Sequence, residues 1–317
     1  MSAVSRAALI SGPAKIVRSG STFFSSDNPQ ISWRPSLADV ATAVHGMVDQ
    51  TVDDLLLEAT FTPAGVFAYR SVLHPFLGTT SGGTEKSRGF DIFTSSDVPT
   101  VITGTDGAVY TLIASAVTRP PDLYLGPTRE LWGPVTITGV IGNSLQPTAA
   151  DAFMSIGSTT YSDSTFDPTA IVKQAYSAAW GAVTGFTALV AQDFWTISTE
   201  INLSPVRVAG YTRTMKLESI RFMAKCVPLG PTATELETAL KFQGGSTGYG
   251  EGHRRSRTAA DLVITGTGIV ATLKNAAFVS AGYRFGGSEL RLGEIGFVST
   301  IAFSSGVPAS QLILATS

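Results

Sequence analysis

A mainly β fold is what this sequence predicts: a β-sandwich or barrel carrying one helix per domain, with the domain written twice in tandem. Three observations lead there. The phrase VITGTDGAVYTL at residues 101–112 returns as VITGTGIVATL at residues 263–273. Apolar and polar residues alternate through stretches such as QISWRPSL and EINLSPVRV, which is the period of a half-buried strand. Charged residues make up only 15% of a 317-residue chain of mean hydropathy +0.22, yet no window reaches the ~18 consecutive apolar residues of a membrane helix.

The repeat extends well beyond the quoted phrase. Val101 stands on Val263, Leu112 on Leu273, Gly126 on Gly286 and Gly133 on Gly293. Going backwards, DLLLEATFTPAG (54–65) faces SIRFMAKCVPLG (219–230), so Pro63 meets Pro228 and Gly65 meets Gly230. Earlier still, Ile31 and Pro35 are set on Ile201 and Pro205. The separation shrinks in one direction only, as loops shortened in a second copy require. Domain boundaries follow at 1–150 and 184–317, with a linker and helix over 151–183.

Each copy opens with a hairpin, QISWRPSL into TVDDLLLEATF and EINLSPVRV into KLESIRFMAKCV. A short helix follows. In the first copy it is TPAGVFAYRSVLH, with Thr62 as N-cap, Pro63 at the first helical position and Pro75 ending it. In the second it is GPTATELETALKF, where Thr232 and Glu235 have capping-box spacing. A long polar loop comes next, about residues 77–99 and 243–260, and then two or three strands around the repeated phrase. Between the copies a Ser/Thr-rich linker leads into Asp167-Pro168 and a helix ended by Gly181.

Chemistry is sparse. His45, His74 and His253 are far apart and lack partners at metal-ligand spacing, which reads as surface or cap histidines. GTTSGGTEKS lacks phosphate-loop order, GSTGYGEG follows a helix rather than a strand, and GTDG is a turn by composition. The single cysteine, Cys226, sits in an apolar run and reads as a buried thiol. A net charge of −2 and a pI near 5.9 give no basic footprint for nucleic-acid binding. The start MSAVSRAALISGPAK carries only a four-residue apolar stretch, too short for an export-signal core. No catalytic residue, cofactor or metal site is assigned.

Two features stand out. Loops longer than ~15 residues in a compact domain are usually functional or disordered, and here both copies carry one at the same place. The first contains Glu85, Lys86 and Arg88, the second Arg254, Arg255 and Arg257. The other feature is charge. Residues 31–62 hold Asp39, Asp49, Asp53, Asp54 and Glu58 against a single Arg34, whereas 201–228 hold Arg207, Arg213, Lys216, Arg221 and Lys225 against a single Glu218. Equivalent hairpins of opposite sign suit copies that alternate around a ring and meet edge to edge, which fixes register and suppresses like-with-like pairing.

The stretches SGPAKIVRSGSTFFSSDNPQISWRPSL, LLLEATFTPAGVFAYRSVLHPF and DVPTVITGTDGAVYTLIASAVTRPPDLYLGPTRELWGPVTITGV, in that order, resemble the tail tube (major tail) proteins of long-tailed bacteriophages. The likeness covers most of the first copy and, more faintly, the second. It implies a sandwich whose hairpins join a continuous barrel around a channel, in stacked rings of six tube domains. Two domains in one chain is similar to the branch in which a homotrimer supplies all six. Expected partners are then further copies of the chain, other tail proteins at the tube ends, the tape measure protein in the lumen and double-stranded DNA passing without specific binding. The resemblance also implies no membrane partner and a place in the virion tail, assembled in the host cytoplasm. Asp49, Asp53, Asp54, Glu58, Arg213, Lys216, Arg221 and Lys225 would make the inter-domain ring contacts. Glu85, Lys86, Arg88, Arg254, Arg255 and Arg257 would lie on loops that order when rings stack. The five cations of the second hairpin are expected to pair with neighbours rather than line the bore.

Two other classes compete. A tail-tip hub also carries two such domains but usually inserts more. A carbohydrate-binding sandwich needs an exposed aromatic platform, whereas Trp33, Trp132, Trp180 and Trp195 are expected in the core.

Overall fold

The computed structural model describes residues 14–74, 92–93, 98–140, 154–181, 186–208, 211–229, 260–280, 283–286, 289–300, 303–304, 307–308 and 311–316. It is mainly β, with several large antiparallel sheets and one short helix. The first half contributes β1 (Lys15–Arg18), β2 (Ser21–Phe24), β3 (Gln30–Thr42), β4 (Gly46–Phe61), β5 (Thr100–Thr103), β6 (Ala108–Leu112), β7 (Ala114–Arg119), β8 (Leu123–Leu125), β9 (Val135–Val140) and β10 (Met154–Ser158). The second contributes β11 (Ser177–Trp180), β12 (Leu189–Ala191), β13 (Trp195–Val208), β14 (Tyr211–Cys226), β15 (Pro228–Leu229), β16 (Ala260–Gly266), β17 (Ile269–Ser280), β18 (Tyr283–Gly286), β19 (Glu289–Leu292), β20 (Ile295–Ser299), β21 (Phe303–Ser304), β22 (Val307–Pro308) and β23 (Leu312–Ala315).

The two halves follow one pairing scheme. In the first, one sheet runs β10-β6-β5-β1-β2 and another β3-β4-β9-β7. In the second, β23 lies on β17, β17 continues through β16 and β11 to β12, and it also pairs β20, which leads to β14 and β13. The long β17 does the work of β6 and β7 together, so two sheets of the first half become one in the second. Register repeats as well. Val117↔Ile137 corresponds to Phe278↔Phe297, and both ladders shift at the next step, before Arg119 and Ser280. The hairpin β3–β4 shifts after Ser36 and after Val40; β13–β14 shifts after Asn202 and after Val206, the same two places. Such bulges bend and twist a strand, so both hairpins curve alike.

This register corrects the sequence alignment at one point. Gln30 pairs Thr60 and Thr196 pairs Lys225, so Ile31 stands on Ile197, not Ile201. Two isoleucines four residues apart in the second hairpin offered the wrong match.

Alternation puts the core between the sheets. In β11, SAAW buries Ala178 and Trp180 and exposes Ser177 and Ala179. One apolar cluster, including Phe23, Phe61, Trp132, Trp180, Trp195 and Phe297, runs through both halves. At the turns closing β5–β6 and β16–β17, Gly107 and Gly268 adopt left-handed φ of 83° and 72°, which is why a glycine survives in the turn of both phrases.

The helices were over-read. Thr62 and Pro63 do not start one: Ala64 donates its backbone N–H to Phe24, Ser26 to Thr62, and Pro63 bridges Ser25 as an extended segment. With those backbone groups spent on the sheet edge, only a 3-10 turn (Phe67–Tyr69) and a single helical turn, α1 (Arg70–Leu73), remain before His74. Asp167 does cap, accepting from the Thr169 N–H at 2.9 Å, but the turn ends at Ala170. The expected continuation is strand β11, because SAAW has an apolar face of period two and pairs Val263 and Ile264 of the repeated phrase. Residues 151–183 are likewise more than a linker, since β10 returns onto β6. The second-copy helix and the Arg254–Arg257 cluster lie outside the described residues, as do Glu85, Lys86 and Arg88.

Candidate assembly surface

The halves meet along a junction built from β8 and the second hairpin. β8 adds to the edge of β13 with Leu125 opposite Trp195, Tyr124 opposite Thr196 and Leu123 opposite Ile197. Gly126 lets the chains touch, because a Cβ there would collide with the Asp193 carbonyl oxygen and with Phe194. The Arg129 guanidinium lies 3.8 Å over the Tyr124 ring, which meets Phe194 edge-on at 5.6 Å. Burial raises the pKa of Asp122 above the usual carboxylate range, opposed by Arg119, the Tyr124 hydroxyl and Arg129.

Further along, Asp54 of the first hairpin is 3% exposed. Its carboxylate accepts from the Thr212 N–H at 3.0 Å and the Thr212 hydroxyl at 2.6 Å, with the Arg207 Nε at 3.4 Å. Ile92 donates its N–H to the Met215 carbonyl, and Met215 closes a small apolar cluster with Phe93, Ala114, Ala116 and Val140, against which Leu203 packs. One face of the second hairpin near its end, at Thr212 and Met215, is thus covered by the first half.

Among the described residues nothing covers the tip of the first hairpin in this way. Met47, which stands where Thr212 stands, is 60% exposed against 1% for Thr212. Leu37, which stands where Leu203 stands, is 50% exposed. Val40, Val44 and Val48 continue the exposed apolar surface. Trp33, expected in the core, is 57% exposed on β3, which is the last strand of its sheet among the described residues; Trp132, Trp180 and Trp195 are buried as expected. Isolated exposed apolar residues are ordinary, but a contiguous group marks an interaction surface.

Among the residues singled out by charge, Asp54 and Arg207 meet at the junction between hairpins, 3.4 Å apart. Arg221 lies 3.7 Å from Glu200 and Lys225 3.4 Å from Glu294, both within the second half. Asp49 accepts from the Gln50 N–H at the exposed first tip, and Lys216 is exposed. Glu58 and Arg213 are partnered, and the Asp53 side chain lies outside the description. Sequence reasoning missed Thr212, the exposed Trp33, and the apolar tip; the run WRPSLADVATAVHGMV carried that signal in its apolar residues.

Other sites offer little chemistry. A cleft of about 620 Å³ lies between Thr118 and Arg119 of β7 and residues 199–202 and 219–221 of the second hairpin, with Glu200 and Arg221 in its wall already paired. Among the described residues no group of three or more His, Cys, Asp or Glu could hold a metal ion, and no helix is long and apolar enough to cross a membrane. Cys226 is buried, and burial pushes its thiol pKa up. His74 caps α1 but is buried beside Trp132, 5.5 Å between ring centres, and burial drives its pKa down to about 3. His45 is exposed at the first hairpin tip.

No protein-family model matches the chain, and no curated protein matches it significantly.

Proposed function

We propose that this chain is a structural virion protein that assembles with copies of itself into stacked rings, forming the tail tube of a long-tailed bacteriophage, a conduit for genome ejection. One observation carries the reading. Among the described residues, the first half covers one face of the second hairpin, while the matching surface on the first hairpin is apolar and exposed. A surface of that kind is completed by the second half of another copy. Such a head-to-tail contact is heterologous, so it closes a ring when the rotation is right. Three chains would bring six equivalent hairpins around one axis, and a closed barrel would remove the free edge of β3. The order of motifs that resembles tail tube proteins supports the same reading, and the low charge content fits a chain largely covered by its own kind. The reading gives the chain no catalytic role.

Sedimentation of the purified chain over rising concentration tests it. Assemblies much larger than one chain are expected, and Leu37→Glu with Met47→Glu, which charge the exposed tip, should hold the chain as a folded monomer. Assembly unaffected by both changes would overturn the reading.

A further inference from the structure

Resting on that reading, the internal junction fixes how strands join between copies. β8 has a counterpart in the second half. β8 is bridged by its return chain at Leu123↔Trp132, and β18 pairs β19 at Tyr283↔Leu292, the same positions in the two copies of the repeat. Within the chain β18 pairs only β19, whereas β8 adds to β13. The edge that β8 occupies also has a counterpart. Thr196 and Ile197 of β13 correspond to Gln30 and Ile31 of β3 through the registers Thr196↔Lys225 and Gln30↔Thr60, and β3 ends its sheet. Among the described residues a strand and an edge are therefore left over, and they match the strand and edge that pair inside the chain.

We propose that β18 of one copy adds antiparallel to the β3 edge of the next, with Arg284 opposite Gln30 and Tyr283 opposite Ile31. The register is the internal one, Tyr124 opposite Thr196 and Leu123 opposite Ile197, carried across the repeat. Glycine usage agrees. Gly126 has no room for a Cβ because Asp193 and Phe194 cross it. Its counterpart at the end of β18 is again a glycine, Gly286, and the counterparts of Asp193 and Phe194 are Asp27 and Asn28. Among the described residues no strand pairs the outer edge of β3, and a glycine at 286 leaves room for the close approach that a neighbouring copy would make there. Backbone pairing supplies the attachment, as in other strand additions to a sheet edge, and the exposed apolar tip supplies the burial.

Cross-linking tests the register directly. Facing positions across antiparallel strands bring Cβ atoms within ~4.5–5.5 Å, close to disulfide reach, while diagonal ones stand ~7–8 Å apart. The assembled Gln30→Cys/Arg284→Cys chain, mildly oxidised, should give covalent dimers and trimers on a non-reducing gel. Each single variant should give none, and Ser32→Cys/Arg284→Cys should give far less. Buried Cys226 stays silent. Gly286→Leu should block assembly while the isolated chain keeps its melting temperature. Rings without cross-links at Gln30/Arg284 would overturn this register and leave the ring reading standing. Cross-linked open chains without rings would uphold the register and overturn closure. Neither rings nor cross-links would overturn both.

Discussion

Arg18 and Trp180 occupy one position in the two halves and solve one problem in two ways. Arg18 donates to the Ser115 carbonyl at 2.8 Å and to the Thr100 hydroxyl at 2.8 Å; Trp180 donates its Nε1–H to the Ala276 carbonyl at 2.9 Å. Where the first half has Thr100 and Ser115 around the cation, the second has Leu262 and Ala276 around the indole. Burial lowers the Arg18 pKa to about 10, the cost of holding a cation among neutral groups. Asp54 shows the complementary case, a buried acid facing the Thr212 N–H and hydroxyl, the Leu55 N–H and the Arg207 guanidinium. Asp54→Ala strands the Thr212 and Arg207 donors and is expected to destabilise by about 2–4 kcal/mol in urea denaturation, while exposed Asp49→Ala stays within about 0.5 kcal/mol. His74 sets a pH dependence. Its pKa falls from an ordinary 6.5 to about 3 on folding, so below pH 6.5 the unfolded chain takes up a proton that the folded chain does not. Stability is therefore full above pH 6.5 and is lost as pH falls toward 3, by about 2 kcal/mol between pH 6.5 and 5. Urea midpoints across that range should show this loss in the native protein and a loss smaller by that amount in His74→Phe.

At the scale of elements, the strands were legible, but the extent of the two helices that fall on described residues was not. VIT runs and two-residue alternation identify β5, β16 and both hairpins, because the pleat and a one-sided core impose that period on the sequence. The signals at Thr62-Pro63 and Asp167-Pro168 are local and say where a turn starts, not how far it runs. Tertiary pairing decided the rest, by taking residues 62–64 into an edge and SAAW into a sheet. Charge contrast pointed to contact between hairpins, yet the contact made inside the chain uses Asp54, Arg207 and Thr212, a set that only the bulged register brings together. Apolar residues at the first tip went unremarked in the sequence, since a sequence does not mark which edge is left open. Gly126 was visible only as a repeated glycine. Gly126→Val is expected to open the β8–β13 junction and cost at least about 2 kcal/mol in chemical denaturation, whereas Gly157→Ala, where a Cβ meets open space, should cost under about 0.5 kcal/mol.

For the whole molecule, repetition is the organising fact. Two halves share strand order, register and bulge positions, yet differ in what covers them: the second hairpin is capped from within, and the first presents Leu37, Val40, Val44, Met47 and Val48 outward. On the proposed reading, a chain that makes one junction and leaves its twin unmade among the described residues would follow an addition rule. Whether that rule closes after three chains depends on the rotation between halves, which repeats at every junction. Counting the symmetry of rings formed by the purified chain, by electron microscopy at high concentration, is the most direct test. The account predicts three-fold rings with a pseudo-six-fold outline. Six-fold rings of whole chains, or a chain that stays monomeric as its concentration rises, would contradict it.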